Sequence, residues 1–562
     1  MPIVLIKWRR PIGLGARRLA PKRAHARWGQ TTPLQAQWAP STQRMRLKRE
    51  FAALASRIRH SCRKRLAALR CSRFNQHHFI KTIGIWYKSF IAYYPRFRFL
   101  DNIMRSALAL FLVSQIFAGL VASENKPNFV FVLADDLSHF DVGCYGGQAI
   151  TPHMDGLAKE GMRFTNCFQA APTCSPTRHN LYTGQSPVKT GAYPNHTFVY
   201  PGTQSIVHYL ESLGYRVALS GKTHIKPQSA FPFEYLSQGN NPDFEAVEAF
   251  IKSCQQEDTP FCLFLTSNEP HAPWDKGDPS QYSAEDIQLP YTFVDTPETR
   301  DAMVRYLAET TYFDGQVGQA LDLISKYDLV NDTLFIATTE QGSSLPFAKW
   351  TLYDAGLHTG FIARWPGKIE PGSVCEALIE YADVVPTFVE AAGGVPAPVL
   401  DGKSLLPLFA GQAVAHKKYV FSEMTTRGII NAPDHFGIRS VRSLKSKYIW
   451  NFTPEVKFEN VVTIPEDTKW GEAQVFNSWK RKAEYDPDAA EKVRRYHFRP
   501  EEELYFIEED YHEWNNLASN PEYADIKTRL RSELLAWMEA NGDHGQQTEL
   551  EADLRHSRNS PR

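Results

Sequence analysis

The chain has 562 residues, 43% of them hydrophobic, with 33 Gly, 36 Pro and 8 Cys. That is enough for at least two packed domains, and it excludes a disordered, collagen-like or disulfide-framework protein. The formal charge of +1 is a cancellation: residues 1–103 hold 23 Lys and Arg against 2 Asp and Glu, whereas residues 124–562 hold 39 against 60, a net −21.

Residues 1–103 are rich in Arg and Trp and show no sustained hydrophobic period that could bury a core. A nucleic-acid arm is one reading of such a segment. The stretch from Met104 favours the other, upstream sequence outside the mature fold, so no nucleic-acid partner is expected. Met104-Arg105 opens a short basic stretch, and the apolar run Ala107 to Ala122, broken only by Ser114 and Gln115, closes on Val121-Ala122-Ser123. Residues 104–123 therefore read as a signal peptide. At 16 residues the run is short of the roughly 20 a membrane span requires, so no stable membrane span is expected. The mature chain is expected to begin near Glu124 and to be exported to a periplasmic, secreted or lysosome-like compartment. Its six cysteines (Cys144, Cys167, Cys174, Cys254, Cys262, Cys375) are too scattered for a framework, contain no CxxC pair, and allow at most one or two disulfides.

From Asn128 to about Gly411, buried-strand patterns at Phe129–Leu133, Val217–Leu219, Phe261–Leu265 and Leu334–Ala337 alternate with helical patterns at Thr203–Leu213 and Arg300–Tyr327. This predicts an α/β class with a mostly parallel central sheet. Short alternating strands at Phe436–Val441 and Lys447–Phe452, a polar stretch and a helix near Ile526–Ala540 predict a smaller C-terminal α+β domain. The expected division is 124–415, 416–545 and a tail 546–562 that is charged and frayed after Asn541.

Polar residues cluster just past the predicted carboxyl ends of these strands, where open α/β sheets build ligand sites. Asp135-Asp136, Lys222 with His224, His271, and Glu340-Gln341 each follow one strand. The four acids and amides are hard oxygen ligands suited to Ca²⁺, with Mg²⁺ as an alternative, and no His/Cys set of zinc spacing accompanies them. Cys174 precedes Pro176 at a predicted helix N-terminus, where amide dipoles favour a thiolate nucleophile; a buried small hydrophobe is its plainer reading. Arg178 lies one turn on.

At Cys174-Ser175-Pro176-Thr177-Arg178, followed by Leu181-x-Thr183-Gly184, the sequence resembles the signature of the type I, formylglycine-dependent sulfatases. The likeness runs through Pro127-Asn128-Phe129-Val130 into Asp135-Asp136, Thr151-Pro152-His153-Met154-Asp155, Gly221-Lys222-Thr223-His224, Pro270-His271-x-Pro273, Lys349 before Tyr353-Asp354-Ala355-Gly356, and Glu513-Trp514-Asn515-Asn516-Leu517. The resemblance implies an alkaline-phosphatase-like sandwich and oxidation of Cys174 to Cα-formylglycine by a formylglycine-generating enzyme. It also implies one Ca²⁺ held by Asp135, Asp136, Glu340, Gln341 and the modified Cys174. Arg178 would orient the gem-diol, Lys222, His271 and Lys349 would bind the sulfate and donate to the leaving group, and His224 would take the second hydroxyl's proton. Two departures stand out: Glu340-Gln341 where Asp with Asn or His is usual, and Thr177 where Ser or Ala is commoner.

Within that family, Gly221 to His224 ending in Pro227, the stretch Pro290-Tyr291 through Thr296–Arg300, and Asp314 before Val317-Gly318 resemble the heparan N-sulfatases. The nine-residue step from Glu340 to Lys349 matches their acid-to-base spacing, with Lys in place of Arg. The substrate implied is a sulfated sugar, as an O-sulfate ester or an N-sulfamate. The net negative charge after residue 123 disfavours long polyanions and points to a local basic pocket for a terminal sugar. The alternatives are a phosphonate monoester or phosphodiester hydrolase of the same fold, and a non-catalytic glycan-binding relative. Asn195, Asn331 and Asn451 open glycosylation sequons.

Overall fold

The structure, a computed structural model, describes residues 126–237, 239–465 and 471–555, so the basic segment 1–103 and the signal-like segment 104–123 lie outside the described residues. Nine strands, β1 (Asn128–Ala134), β2 (Met162–Phe168), β3 (Arg216–Gly221), β4 (Glu234–Tyr235), β5 (Phe261–Thr266), β6 (Thr333–Thr339), β7 (His358–Arg364), β8 (Ser373–Cys375) and β9 (Ile379–Glu380), make the larger sheet. Its order is β4-β3-β5-β1-β6-β7-β2-β8, with β9 also on β2. All pairings are parallel except those of β7, which runs against both β6 and β2. The α/β class is as the sequence predicts.

β1 reads as an unbroken apolar run because both of its faces are covered. Val130, Val132 and Ala134 enter one core with the helices Pro152–Glu160, Phe244–Gln256 and Pro297–Lys326. Phe129, Phe131 and Leu133 enter the other with Cys174–Thr183, Ile206–Glu211 and Val384–Ala391. Each of the fully buried Val, Leu and Phe side chains contributes about 1.5–3 kcal/mol relative to exposure. The long Pro297–Lys326 helix begins where local chemistry dictates: Thr296 caps it by accepting from Thr299 N (3.1 Å), and Pro297 occupies the first turn.

The smaller sheet, β10 (Val420–Thr425), β11 (Gly437–Arg442), β12 (Ser446–Asn451) and β13 (Glu502–Phe506), is antiparallel in that order. The helix Ala524–Ala540 covers one face through Leu530, Leu534 and Met538 against Val441, Tyr448 and Leu504. The stretch expected to be merely polar holds two helices, Gly471–Ala483 and Pro487–His497, whose Trp479 is fully buried, ring-packed on Phe293 and Phe347, and donates through Nε1 to Thr299 Oγ1 (2.8 Å). The expected fraying after Asn541 is also corrected. Through Arg555 the tail is packed: Glu549 is fully buried against Arg439 (2.9 Å), and Thr548 O accepts from Tyr193 OH (2.9 Å).

A buried ion network joins the two sheets. Asp354 accepts from Arg442 Nε (3.0 Å) and Lys447 Nζ (2.8 Å), and Lys447 also meets Glu513 (2.9 Å). The six cysteines of the described residues are free. Of the three sequons, Asn331 is exposed, whereas Asn451 is buried and donates to Pro500 O (2.7 Å), and Asn195 donates to Gly428 O. Among the described residues no helix is long and apolar enough to cross a membrane. His153 and His139, given no role by the sequence, serve packing: the His153 ring abuts Gly318, and His139 lies against His358 with ring planes tilted by 32° and centroids 3.7 Å apart.

This packing makes stability testable at two points. Asp354→Ala strips Arg442 of its bidentate carboxylate at a buried site, so stability should fall by about 3–5 kcal/mol in denaturant titrations. Burial holds His139 down to about 4, and burial with His139 beside it holds His358 well below its usual range. A base depressed in the folded state gives stability that is complete above its unfolded value near 6.5 and is lost as pH falls toward the folded one. The urea midpoint should therefore drop between pH 6.5 and pH 4, and His139→Gln should flatten that slope. An equal slope in the variant would refute the assignment.

Candidate active site

Strand register assembles the site. Ala134 pairs with Thr339 at the end of β1 and β6, so Asp135 leaves the sheet beside Glu340 and Asp136 beside Gln341. Thr266 pairs with Leu133 on one side and Gly221 on the other, so Lys222 and the Ser267–His271 loop emerge at the same level. Gly221 has φ 106, and a Cβ there would lie 2.0 Å from Thr266 O; only glycine lets β3 end so close to β5.

Cys174 opens the buried helix Cys174–Thr183, after the extended cap Thr173. Pro176 is tolerated because the first-turn amides have no intrahelical acceptor. The Thr177 hydroxyl turns back to Ala171 O (2.6 Å) and Gln169 Oε1. The Cys174 thiol donates to Asp135 Oδ1 (3.2 Å), and ligand atoms of Asp135, Asp136 and Cys174 all lie within 4.8 Å of one another. Gln341 Nε2 sits 3.1 Å from Asp135 Oδ1, 2.7 Å from Asp136 Oδ1 and 3.1 Å from Cys174 Sγ, while its Oε1 is buried without a partner.

Cations surround these acids. Lys222 Nζ donates to Asp135 Oδ2 and to Asn268 Oδ1 (3.2 Å). Lys349 Nζ donates to Asp136 Oδ2 (2.8 Å). Arg178 holds Glu340 through Nε (2.9 Å) and Nη2 (2.8 Å), donates from Nη1 to Lys222 O (2.7 Å), and passes 3.7 Å from Asp135. Glu340 thus faces the guanidinium with both oxygens. His271 Nε2 lies 3.7 Å from Asp136 Oδ2, while its Nδ1–H donates to Ala272 O (2.7 Å). His224 is turned to His196, with Nε2 2.8 Å from its Nδ1.

The electrostatics arise from burial and these pairs. Burial opposes ionisation of Asp135, but Lys222, His271 and Arg178 outweigh it and hold the carboxyl well below its usual range. Burial, then Asp135, pushes the Cys174 thiol well up, so the thiolate expected at a helix N-terminus does not form. Burial lowers His271 and His224, helped by Lys349 and Lys222 respectively, so both rings are neutral near pH 7. Burial would lower Lys349, yet Asp136 keeps it charged by raising it.

Sequence reasoning missed Asn268, although the strand-end rule that finds His271 covers it, and His196, for which no strand signal exists. Backbone strain marks the site too: Asp136, His196, His224, Phe347 and Trp350 account for five of the ten non-glycine residues with positive φ among the described residues.

Comparison with known proteins gives the family. The sulfatase family model matches residues 127–395, and a model for the C-terminal part of N-sulphoglucosamine sulphohydrolase matches 342–468. An ulvan-active sulfatase of Formosa agariphila is 36% identical over 435 residues, covering 75% of this chain and 82% of that protein. Human N-sulphoglucosamine sulphohydrolase is 26% identical over 479 residues, covering 73% and 89%. A structure solved with its substrate D-glucosamine-2-N,6-O-disulfate superposes with a TM-score of 0.56 at 18% identity, over 75% of this chain and 99% of that one. By sequence and by fold, the chain belongs to the sulfatase family, hydrolases acting on sulfate esters.

Proposed function

We propose that the protein removes the sulfuryl group of a sulfated sugar, carried on oxygen or nitrogen, using residue 174 after oxidation of its thiol to Cα-formylglycine and one bound Ca²⁺. The observation that carries this reading is the convergence of Cys174, two buried carboxylates and two lysines on one point. An unmodified, protonated thiol is a weak nucleophile, whereas a gem-diol at the same position can attack sulfur and later eliminate sulfate. The sulfated-sugar class is supported by relatives named for ulvan and for N-sulphoglucosamine.

The residues present suit a hard dication. Asp135 and Asp136 supply oxygens, with residue 174 beside them; Gln341, whose Nε2 faces the acids, would add its partnerless Oε1 once its amide is turned over, and Mg²⁺ would accept the same donors with less tolerance of geometry. Glu340, committed to Arg178, orients the guanidinium against the acids. When bound, the cation would polarise the sulfuryl oxygens and lower the pKa of the attacking hydroxyl.

The chain's own groups do the remainder. Lys222 and Lys349 are charged and placed to neutralise sulfuryl oxygens as charge builds in the transition state. His271, its Nδ1–H fixed by Ala272 O, keeps a bare Nε2 that takes the proton of the attacking hydroxyl and passes it to the leaving oxygen or nitrogen. His224, neutral, receives the proton released when the aldehyde reforms. Maturation requires a formylglycine-generating enzyme, and the signal-like residues 104–123 support work outside the cytoplasm.

Mass spectrometry of the peptide carrying Cys174, from protein co-produced with formylglycine-generating activity, should show aldehyde in place of thiol. Cys174→Ala should abolish turnover of glucosamine N-sulfate and of sulfated ulvan oligosaccharides, and the ratio of these two substrates in the wild type distinguishes sulfamate from ester. Unmodified thiol in fully active protein would overturn the nucleophile. Incubation with EDTA should remove activity and Ca²⁺ should restore it; activity indifferent to chelation would remove the cation from the reading.

A further inference from the structure

Two histidines on different loops meet beside the site. The His224 and His196 rings, hydrogen-bonded at 2.8 Å, have centroids 4.7 Å apart. Both residues take left-handed backbone, φ 52 and 54, a conformation uncommon for non-glycine residues although histidine adopts it more readily than most. On the His196 loop the contacts that hold it are visible. Asn195 N donates to Arg427 O (3.1 Å) and Asn195 Nδ2 to Gly428 O (3.3 Å). Gly428 has φ 85, and a Cβ there would lie 2.4 Å from Asn195 O, so the two turns touch backbone to backbone. On the other flank, Val199 N donates to Lys226 O (3.1 Å), tying the His196 loop to the loop that carries His224. The sequon at Asn195 is therefore a clamp on its neighbour.

Which nitrogen of an imidazole carries the proton is set by the bond the other one makes. With Nε2 of His224 committed to His196, Nδ1 is the nitrogen left over, and it is buried without a partner. The charged groups that act on this ring are Lys222 from the end of β3, Arg178 from the Cys174 helix and Asp135 from the end of β1, and His196 is hydrogen-bonded to it. We propose that His196 is a positioning residue: its Nδ1 accepts the Nε2–H of His224, fixing the tautomer in which the Nδ1 lone pair of His224 takes the proton released in turnover. This rests on the reading of His224 as that base.

The test combines a spectrum with kinetics on the full, matured protein. Long-range ¹⁵N–¹H spectra of histidine-labelled protein, assigned with His224→Gln, should show His224 as the Nε2–H tautomer and should show that preference lost in His196→Ala. With 4-nitrophenyl sulfate, His196→Ala should lower kcat about ten- to hundredfold with KM nearly unchanged, and His196→Gln, whose Oε1 can accept the same hydrogen bond, should restore most of the loss. The Nδ1–H tautomer in the wild type, an unchanged tautomer in His196→Ala, or a His196→Gln variant as slow as His196→Ala would each overturn the proposal. If 4-nitrophenyl sulfate is not turned over, the spectra alone decide it. Wild-type turnover in His224→Ala would instead overturn the base assignment, whatever the spectra show, while leaving the sulfatase reading at Cys174 intact.

Discussion

Asp135, Asp136 and Glu340 are fully buried together with Arg178, and Lys349 and Lys222 close the set from the side. Removing a charge from water costs several kcal/mol per ion even after relaxation, and the attraction between partners offsets it only where geometry is good. Here each acid has a cation against it, three for three: burial pushes the Glu340 carboxyl up, and the balance counts it as ionised because both its oxygens accept from Arg178. A dication entering alone would leave a surplus of two positive charges in a water-poor pocket. An anion entering alone would set its charge against the carboxylates. A dication on the acids together with an anion on the lysines keeps the balance, so in the proposed function cation and sulfate support one another's binding.

The surrounding backbone is organised to hold those charges at fixed distances. The loop from Glu340 to Leu357 carries Lys349 between two left-handed residues, Phe347 and Trp350, and Trp350 N is tied to Pro172 O beside the nucleophile helix (3.1 Å). Its far end is anchored at Asp354, which sits on Arg442 and Lys447 of the smaller sheet. The smaller sheet therefore helps to position an active-site lysine although its own ion network lies away from Cys174. His196 shows the same division of labour, since the Arg427–Gly428 turn clamps its loop. Strain near the site is matched by hydrogen bonds made elsewhere.

Much of this was legible in the sequence because parallel strands buried on both faces announce themselves as apolar runs, and the residues just past their ends must face the ligand edge. That rule locates Asp135, Asp136, Lys222, His271, Glu340 and Gln341. It says nothing about register, so the pairing of Ala134 with Thr339, which sets the two acidic pairs side by side, was not readable. Nor was the bidentate hold of Arg178 on Glu340, which depends on side-chain reach across two elements. Residues 471–497 read as polar because Phe476, Trp479 and Tyr496 are diluted by charge, yet these are the residues that pack. The tail through Arg555 reads as frayed because it is charged. Its burial rests on ion pairs such as Glu549 with Arg439, which composition does not reveal.

The reading of Cys174 turns on a contest of magnitudes. A helix N-terminus stabilises a negative charge by about 0.3–1 kcal/mol in ordinary settings, and on that ground alone a thiolate is a fair expectation. A carboxylate oxygen 3.2 Å from the sulfur opposes it with on the order of 5 kcal/mol at an effective dielectric constant near 20, and burial adds to the cost. The nearby lysines reduce the deficit but are already engaged by Asp135 and Asp136. A sulfur nucleophile is therefore badly served by these neighbours. An oxygen nucleophile at residue 174 is well served by them, because carboxylates that repel a thiolate are the natural ligands of a hard cation, and such a cation activates hydroxyl. The same acids that make the cysteine inert make sense of its replacement by an aldehyde hydrate.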